Sequence, residues 1–223
     1  MNGFSKLEDI TYIENNDLFN KEKNEFIEYS IKRTKHIIRD RFVLKDKDKI
    51  LLSAVKHIGY FYIYTGRGDL ICKLKYWDFG RKFKCLLINS GQESNELLYL
   101  KYFKGILYTE GFYDFELIIH KDNGLTNIIT KQIKHLIFFQ KKNYSQFHYL
   151  INKYPKYNNI DSSYTLKFKS DKIVISSVKN FIIENNNESI LEFGRGKNEF
   201  SMSYKTPLSM VEAFTICLTT FVT

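Results

Sequence analysis

Residues 209–222 read Ser-Met-Val-Glu-Ala-Phe-Thr-Ile-Cys-Leu-Thr-Thr-Phe-Val, and the fold turns on them. Ser209 followed three positions later by Glu212 is a capping box, in which the hydroxyl satisfies one orphan N–H and the carboxylate another. A helix is therefore expected to start at Ser209. Beyond it Met210, Val211, Ala213, Phe214, Ile216, Cys217, Leu218, Phe221 and Val222 fall on every side of the helix. Only Thr215, Thr219 and Thr220 interrupt them, and threonine hydroxyls bond back to the preceding turn. A helix without a polar face has to be enclosed. Its ~14 apolar-rich residues would rise only about 21 Å, whereas a membrane span needs about 20 residues. A sheet of amphipathic strands closed on itself offers an apolar lumen that one helix fills. The alternative enclosure is a crevice between two sheets.

The chain upstream supplies such strands. From about Lys49 short β-rich runs alternate with turn residues: HIGYFYIYT, GRGD, LICKLKYW, DFGR, KFKCLLINS, LLYLKYF, GILYTEGFYDFELIIH, LTNIIT and IKHLIFF. Runs of that length and spacing predict an antiparallel sheet that folds over or closes. The same pattern resumes in SYTLKFKS, KIVISSVKNFIIE and SILEFGRGKNEFSMSY. Gly194 to Asn198 is read as a hairpin turn in which glycine supplies positive φ. Residues 17–42 are charge-rich, with Ile27, Ile31 and Ile38 spaced as on one helical face, which predicts a partly amphipathic helix. The expected organisation is an N-terminal extension over 1–42, partly helical, and a barrel domain over 43–223. The fold class is mainly β: a closed antiparallel barrel around a buried C-terminal helix, plus a short N-terminal helix.

Composition narrows the function. Lys and Arg number 34 against 25 Asp and Glu, a net charge of +9, which favours polyanionic partners: nucleic acid or an anionic leaflet. Three cysteines, Cys72, Cys85 and Cys217, form neither a disulfide framework nor a C-x-x-C zinc pattern, which points to a reducing compartment. The first residues lack the layout of a signal peptide, so a soluble intracellular protein is expected. The five histidines are scattered without metal spacing. No nucleophile and base share a local motif. Neither catalysis nor any cofactor is expected. Gly66-Arg67-Gly68-Asp69 is read as a hairpin turn, because no helix follows to make it a phosphate loop.

One set of residues is specific. Ser177-Val178-Lys179-Asn180-Phe181, Phe193-Gly194-Arg195, Phe200-Ser201-Met202, Tyr204, Pro207-Leu208-Ser209, Ala213-Phe214, Ile216-Cys217-Leu218 and Phe221 occur in this order and spacing. Together they resemble the C-terminal signature of the tubby-like proteins. The resemblance extends upstream through Asn152-Lys153, Pro155, Asp161, Ser163-Tyr164, Leu166 and Phe168. It implies a closed barrel threaded by its C-terminal helix. It also implies binding of phosphatidylinositol 4,5-bisphosphate at the inner face of the plasma membrane, in an adaptor of trafficking or signalling.

In that family basic side chains at alternate positions of one strand hold the headgroup, helped by neighbouring strands. Residues i and i+2 project from the same face, so two cations converge on one bisphosphate while the residue between them enters the core. Lys73-Leu74-Lys75 has this pattern, Lys82-Phe83-Lys84 repeats it with Arg81 beside it, and Lys101 follows in the next run. The expected headgroup contacts are Lys73, Lys75, Arg81, Lys82, Lys84 and Lys101. Trp77 and Phe79, between the first two runs, are candidate interfacial anchors or covers for the barrel mouth. The rival reading is nucleic-acid binding or transcription regulation in the nucleus, since aromatics alternate with lysines in LICKLKYW and LLYLKYFKG as on stacking platforms. A third has the N-terminal helix dock a protein partner. The chain is expected to act as a monomer.

Overall fold

The apolar stretch over 210–222 is enclosed by strands. The structure, a computed structural model, describes residues 15–21, 24–103, 114–121, 147–160, 162–169 and 174–222. Its strands are β1 (Ile27–Thr34), β2 (Arg41–Asp46), β3 (Lys49–His57), β4 (Tyr60–Thr65), β5 (Leu70–Trp77), β6 (Lys82–Asn89), β7 (Gln92–Phe103), β8 (Asp114–His120), β9 (Phe147–Asn152), β10 (Lys156–Asn158), β11 (Ser163–Thr165), β12 (Phe181–Asn185), β13 (Glu188–Arg195) and β14 (Phe200–Tyr204). Twelve of them close an antiparallel barrel in the order β1-β14-β13-β12-β9-β8-β7-β6-β5-β4-β3-β2. The other two, β10 and β11, pair separately. There are two helices among the described residues, α1 (Asn15–Phe19) and α2 (Met210–Thr219).

Period-two alternation builds the wall. In β4, Phe61 and Ile63 are fully buried while Tyr60, Tyr62 and Tyr64 face outward half-buried. In β5 and β6 the inward residues are Cys72, Leu74, Phe83 and Cys85. These inner faces meet α2, every residue of which is buried. The capping box forms as expected: Ser209 Oγ accepts from the Glu212 N–H at 3.3 Å, and the Ser209 N–H donates to Glu212 Oε2 at 2.9 Å. The threonines that break the apolar surface are satisfied without solvent. Thr219 Oγ1 lies 2.7 Å from both Tyr102 OH and the Ile216 carbonyl, and Thr220 Oγ1 donates to the Cys217 carbonyl at 2.9 Å.

Both ends of α2 meet charge from the rest of the chain. Near its N-terminus Leu18 of α1 is buried, and Lys21 Nζ donates to Glu212 Oε1 and to the His120 carbonyl, at 2.8 and 2.7 Å. Past its C-terminus Lys56 Nζ donates to the Phe221 carbonyl at 2.7 Å, and Lys179 Nζ donates to that of Thr220. Cations there complement the negative end of the helix dipole.

Several expectations need correction. The helix anticipated over residues 17–42 is confined to α1, and most of that segment forms β1, which pairs with β2 and β14 to close the barrel. Ile27 and Ile31 are four apart, which suits a helical face and an alternating strand equally. Inward Tyr29 and Ile31, separated by half-buried Ser30, show that the strand prevails. The barrel wall thus starts at Ile27, and residue 43 falls inside β2. Among the described residues of SYTLKFKS only β11 is a strand, outside the barrel, and the backbone N–H of Lys169 then donates to the Glu192 carboxylate at 3.1 Å. Ile175 makes only an isolated bridge to Arg195. The hairpin between β13 and β14 is present, but neither Gly194 nor Gly196 has positive φ. A Cβ on them would lie 2.8 Å from Val174 and 2.9 Å from the Glu199 carbonyl oxygen, so close approach is what they permit. The strands expected in LTNIIT and IKHLIFF, and the start of the GILYTEGFYDFELIIH run, lie outside the described residues.

Candidate functional site

Strands β5, β6 and β7 are consecutive neighbours in the wall, and their alternation sends the lysines out. Leu74, Phe83 and Leu100 have no exposure, so the flanking Lys73, Lys75, Lys82, Lys84 and Lys101 share the outer face. Register brings them into rows: Lys75 is directly opposite Lys84, and Lys82 is directly opposite Lys101. Arg81 stands at the head of β6, beside the turn that carries Phe79. All six expected residues are thereby brought to one wall and its edge.

Each of the six meets a carboxylate. Lys73 and Lys75 share Glu93, whose Oε1 and Oε2 lie 3.0 and 2.6 Å from their ammonium groups. Arg81 and Lys82 share Asp78, Lys84 pairs with Glu96 at 2.7 Å, and Lys101 faces Glu116 at 3.9 Å. Four carboxylates against six cations leave an excess of two positive charges. The titration of Glu93, Lys73 and Asp78 reflects the pairing. Hydrogen bonds from Lys75 and Lys73 hold the Glu93 carboxyl below its ordinary value, and the bond to Glu93 raises Lys73. Lys82 and then Arg81 lower Asp78. Glu96 goes the other way, because its burial against the wall raises the carboxyl by more than Lys84 lowers it.

Sequence reasoning missed two parts of this face. The carboxylates come from other strands or from the turn, and they are brought in only by register, which includes shifts along β6 and β7 around residues 85–88. The second part is the tyrosine ladder of β4. Lys73 Nζ sits 4.8 Å above the Tyr60 ring and 5.5 Å from that of Tyr62, within cation–π range. Tyr60 and Tyr62 meet edge to face with centroids 4.9 Å apart, and His57 stacks on Tyr60 at 4.8 Å. The signal was tyrosine at every second position of YFYIYT. By contrast, Tyr99 and Tyr102, in the run read as a stacking platform, are buried.

Trp77 ends β5 on the outer face and leans on Tyr99, with ring centroids 6.2 Å apart. Phe79 is fully exposed at the tip of the β5–β6 turn. No cluster of three or more His, Cys, Asp or Glu side chains able to hold a metal occurs among the described residues. No described helix is long and apolar enough to cross a membrane.

The architecture defines a class: a closed antiparallel barrel built around its own apolar C-terminal helix, with cations on one outer wall. The chain belongs to the Tub family, whose match spans residues 78–223. It is 41% identical over 76 residues to Tubby protein homolog 1 of Caenorhabditis briggsae, covering 32% of this chain and 18% of that protein. Against Tubby-related protein 1 of Homo sapiens it is 36% identical over 90 residues, 39% of this chain and 16% of the relative. Tubby-like F-box protein 2 of Arabidopsis thaliana is 36% identical over 85 residues, 32% of this chain and 21% of that protein. The matched segments therefore span less than a quarter of each of these relatives.

Proposed function

We propose that the chain is a non-enzymatic phosphoinositide-binding module that tethers reversibly, as a monomer, to the cytoplasmic face of the plasma membrane and serves there as a trafficking or signalling adaptor. Family membership supports the reading. The observation that carries it is the outer face of β5, β6 and β7, where Lys73, Lys75, Lys82, Lys84 and Lys101 stand in register with Arg81 at the edge. The headgroup of phosphatidylinositol 4,5-bisphosphate binds by taking the place of carboxylates. Glu93 is the most accessible of them to displacement, its side chain being more exposed than those of Asp78, Glu96 and Glu116. A surface cation near an anionic leaflet contributes about 1 kcal/mol. With part of that opposed by resident carboxylates, tethering is weak and readily reversed. Co-sedimentation with liposomes containing or lacking the bisphosphorylated lipid tests this: the wild type should prefer the former, and Lys73→Ala combined with Lys75→Ala should abolish the preference. Equal binding in all four combinations removes the reading.

The ladder of His57, Tyr60 and Tyr62 beside Lys73 favours one second reading, a single-stranded nucleic acid stacking on β4. Steeply salt-dependent retention of DNA in a gel, with indifference to lipid, would place it first.

A further inference from the structure

Strand direction alternates around the barrel, so the β1–β2, β3–β4 and β5–β6 connections share one end and the β2–β3, β4–β5 and β6–β7 connections share the other. The two ends differ in chemistry. At the second end the turns are Lys47-Asp48, Gly66-Arg67-Gly68-Asp69 and Ser90-Gly91, without an apolar side chain among them. At the first end, where the β13–β14 hairpin, residues 196–199, is polar, these three connections each put an aliphatic or aromatic side chain at the tip: Ile37 and Ile38 with relative exposures of 106% and 86%, Ile58 with 98% and Phe79 with 98%. These side chains have no part in the core.

The tips are neighbours. Ile37, Ile38 and Ile58 line one open depression of about 670 Å³. The backbone N–H of Tyr76 donates to the Gly59 carbonyl at 2.9 Å and its phenol to that of His57 at 2.8 Å, tying the end of β5 to the β3–β4 turn. Phe79 stands three residues beyond Tyr76, and its backbone is held at φ 56°, a conformation that bulky residues avoid. Neither packing nor backbone preference selects an aromatic side chain there.

Each tip has a cation nearby in sequence: Lys35 and Arg39 flank Ile37-Ile38, Lys56 precedes Ile58 by two residues, and Arg81 and Lys82, both paired with Asp78, follow Phe79. Lys35 and Arg39 are exposed. Apolar side chains raised on separate turns with cations close by match an anionic bilayer, whose acyl chains accept the former while its phosphates meet the latter. Lys82 and Lys101 lie where the basic wall runs into this rim, so both surfaces can face one leaflet.

We infer that Ile37, Ile38, Ile58 and Phe79 form an insertion rim that enters the interfacial layer of an anionic membrane while the wall of β5, β6 and β7 engages headgroups. The inference rests on the membrane reading above and adds penetration to it. Its test uses vesicles of phosphatidylcholine and phosphatidylserine, with and without phosphatidylinositol 4,5-bisphosphate. The chain has one tryptophan, so Trp77→Phe with Phe79→Trp moves the only indole to the tip. Its emission should shift to the blue on binding and be quenched by lipids brominated along their acyl chains. The combined variant Ile37→Ser, Ile38→Ser, Ile58→Ser and Phe79→Ser should bind vesicles about tenfold more weakly or worse, from lost apolar burial. It should still prefer the bisphosphorylated lipid. Lys73→Ala with Lys75→Ala should lose that preference but leave the position-79 reporter quenched. The substituted tips are exposed, so urea unfolding should match the wild type. A bound but unquenched reporter, or a serine variant that binds as tightly as the wild type, overturns insertion and leaves headgroup binding standing. A wild type that binds no vesicle overturns both.

Discussion

Lys21 Nζ stands 2.8 Å from Glu212 Oε1, with both side chains shielded from solvent. A residue next to α1 is thereby ion-paired to the first turn of α2, within the same carboxylate network that caps the helix: Glu212 Oε2 accepts from both the backbone N–H and the hydroxyl of Ser209. Removing one partner leaves the other charge buried and uncompensated, a loss of about 3–5 kcal/mol. Lys21→Met should lower the urea-unfolding free energy by about that amount, whereas Lys21→Met combined with Glu212→Gln should recover part of it. A Lys21→Met variant as stable as the wild type would mean that the N-terminal segment does not seal the barrel.

That ion pair also shows where sequence reading stops. The enclosed helix was legible because its evidence is local: a capping box at Ser209 and Glu212, and apolar residues on every side. Charge told nothing of Lys21, since nothing in the residues around it says that its partner is 191 positions away. β1 was misread for a different reason: Ile27 and Ile31 satisfy two periods at once, and only the pairing of Ile31 with both Leu44 and Phe200 decides between them. The lysines of the basic wall were legible from i, i+2 spacing. The carboxylates that oppose them were not, because Glu93 reaches Lys73 and Lys75 from two strands away.

Glu93 supplies the second prediction. In the unliganded protein it occupies the ammonium groups that the headgroup needs, so binding has to break two contacts before it makes new ones. Glu93→Gln removes the competing charge while keeping the shape. Affinity for vesicles carrying the bisphosphorylated lipid should rise about three- to tenfold, equivalent to about 0.7–1.4 kcal/mol. The cost in stability should be small, as exposed ion pairs contribute about 0–1 kcal/mol. Weaker vesicle binding by this variant would show that Glu93 orients the lysines instead of competing for them.

Tyr204 lines the barrel with no exposure, and its hydroxyl lacks a hydrogen-bond partner among the described residues. Burial raises its phenol pKa, so it stays neutral. A buried polar atom without a partner carries a desolvation penalty of about 1–3 kcal/mol. Tyr204→Phe keeps the ring that packs against Tyr29, 6.1 Å between centroids, and removes only that oxygen. Chemical denaturation should show a variant at least as stable as the wild type, by up to about 1–2 kcal/mol. A clear loss of stability would demonstrate that the hydroxyl has a partner.

Lys179 closes the opposite end of the barrel from Lys21. Its ammonium donates to the Thr220 carbonyl and lies 5.1 Å from the Phe221 ring centroid. Burial, with Arg33 and Lys56 nearby, lowers its pKa to about 8. Folding therefore disfavours the charged form, and the penalty applies in full below pH 8. Between pH 8 and the ordinary lysine value, about 10.4, the unfolded chain keeps a proton that the folded one has released. Stability rises with pH wherever the unfolded state binds more protons, so this residue contributes a positive slope across that window. The side chain is only partly buried, and solvent screening reduces the effect to about 1–2 kcal/mol. Measured by urea unfolding from pH 7 to pH 10.5, the wild type should gain on Lys179→Met by that amount. Parallel profiles would place the Lys179 proton in the folded state throughout, and would make its bond to the helix carbonyl that of an ordinary charged lysine.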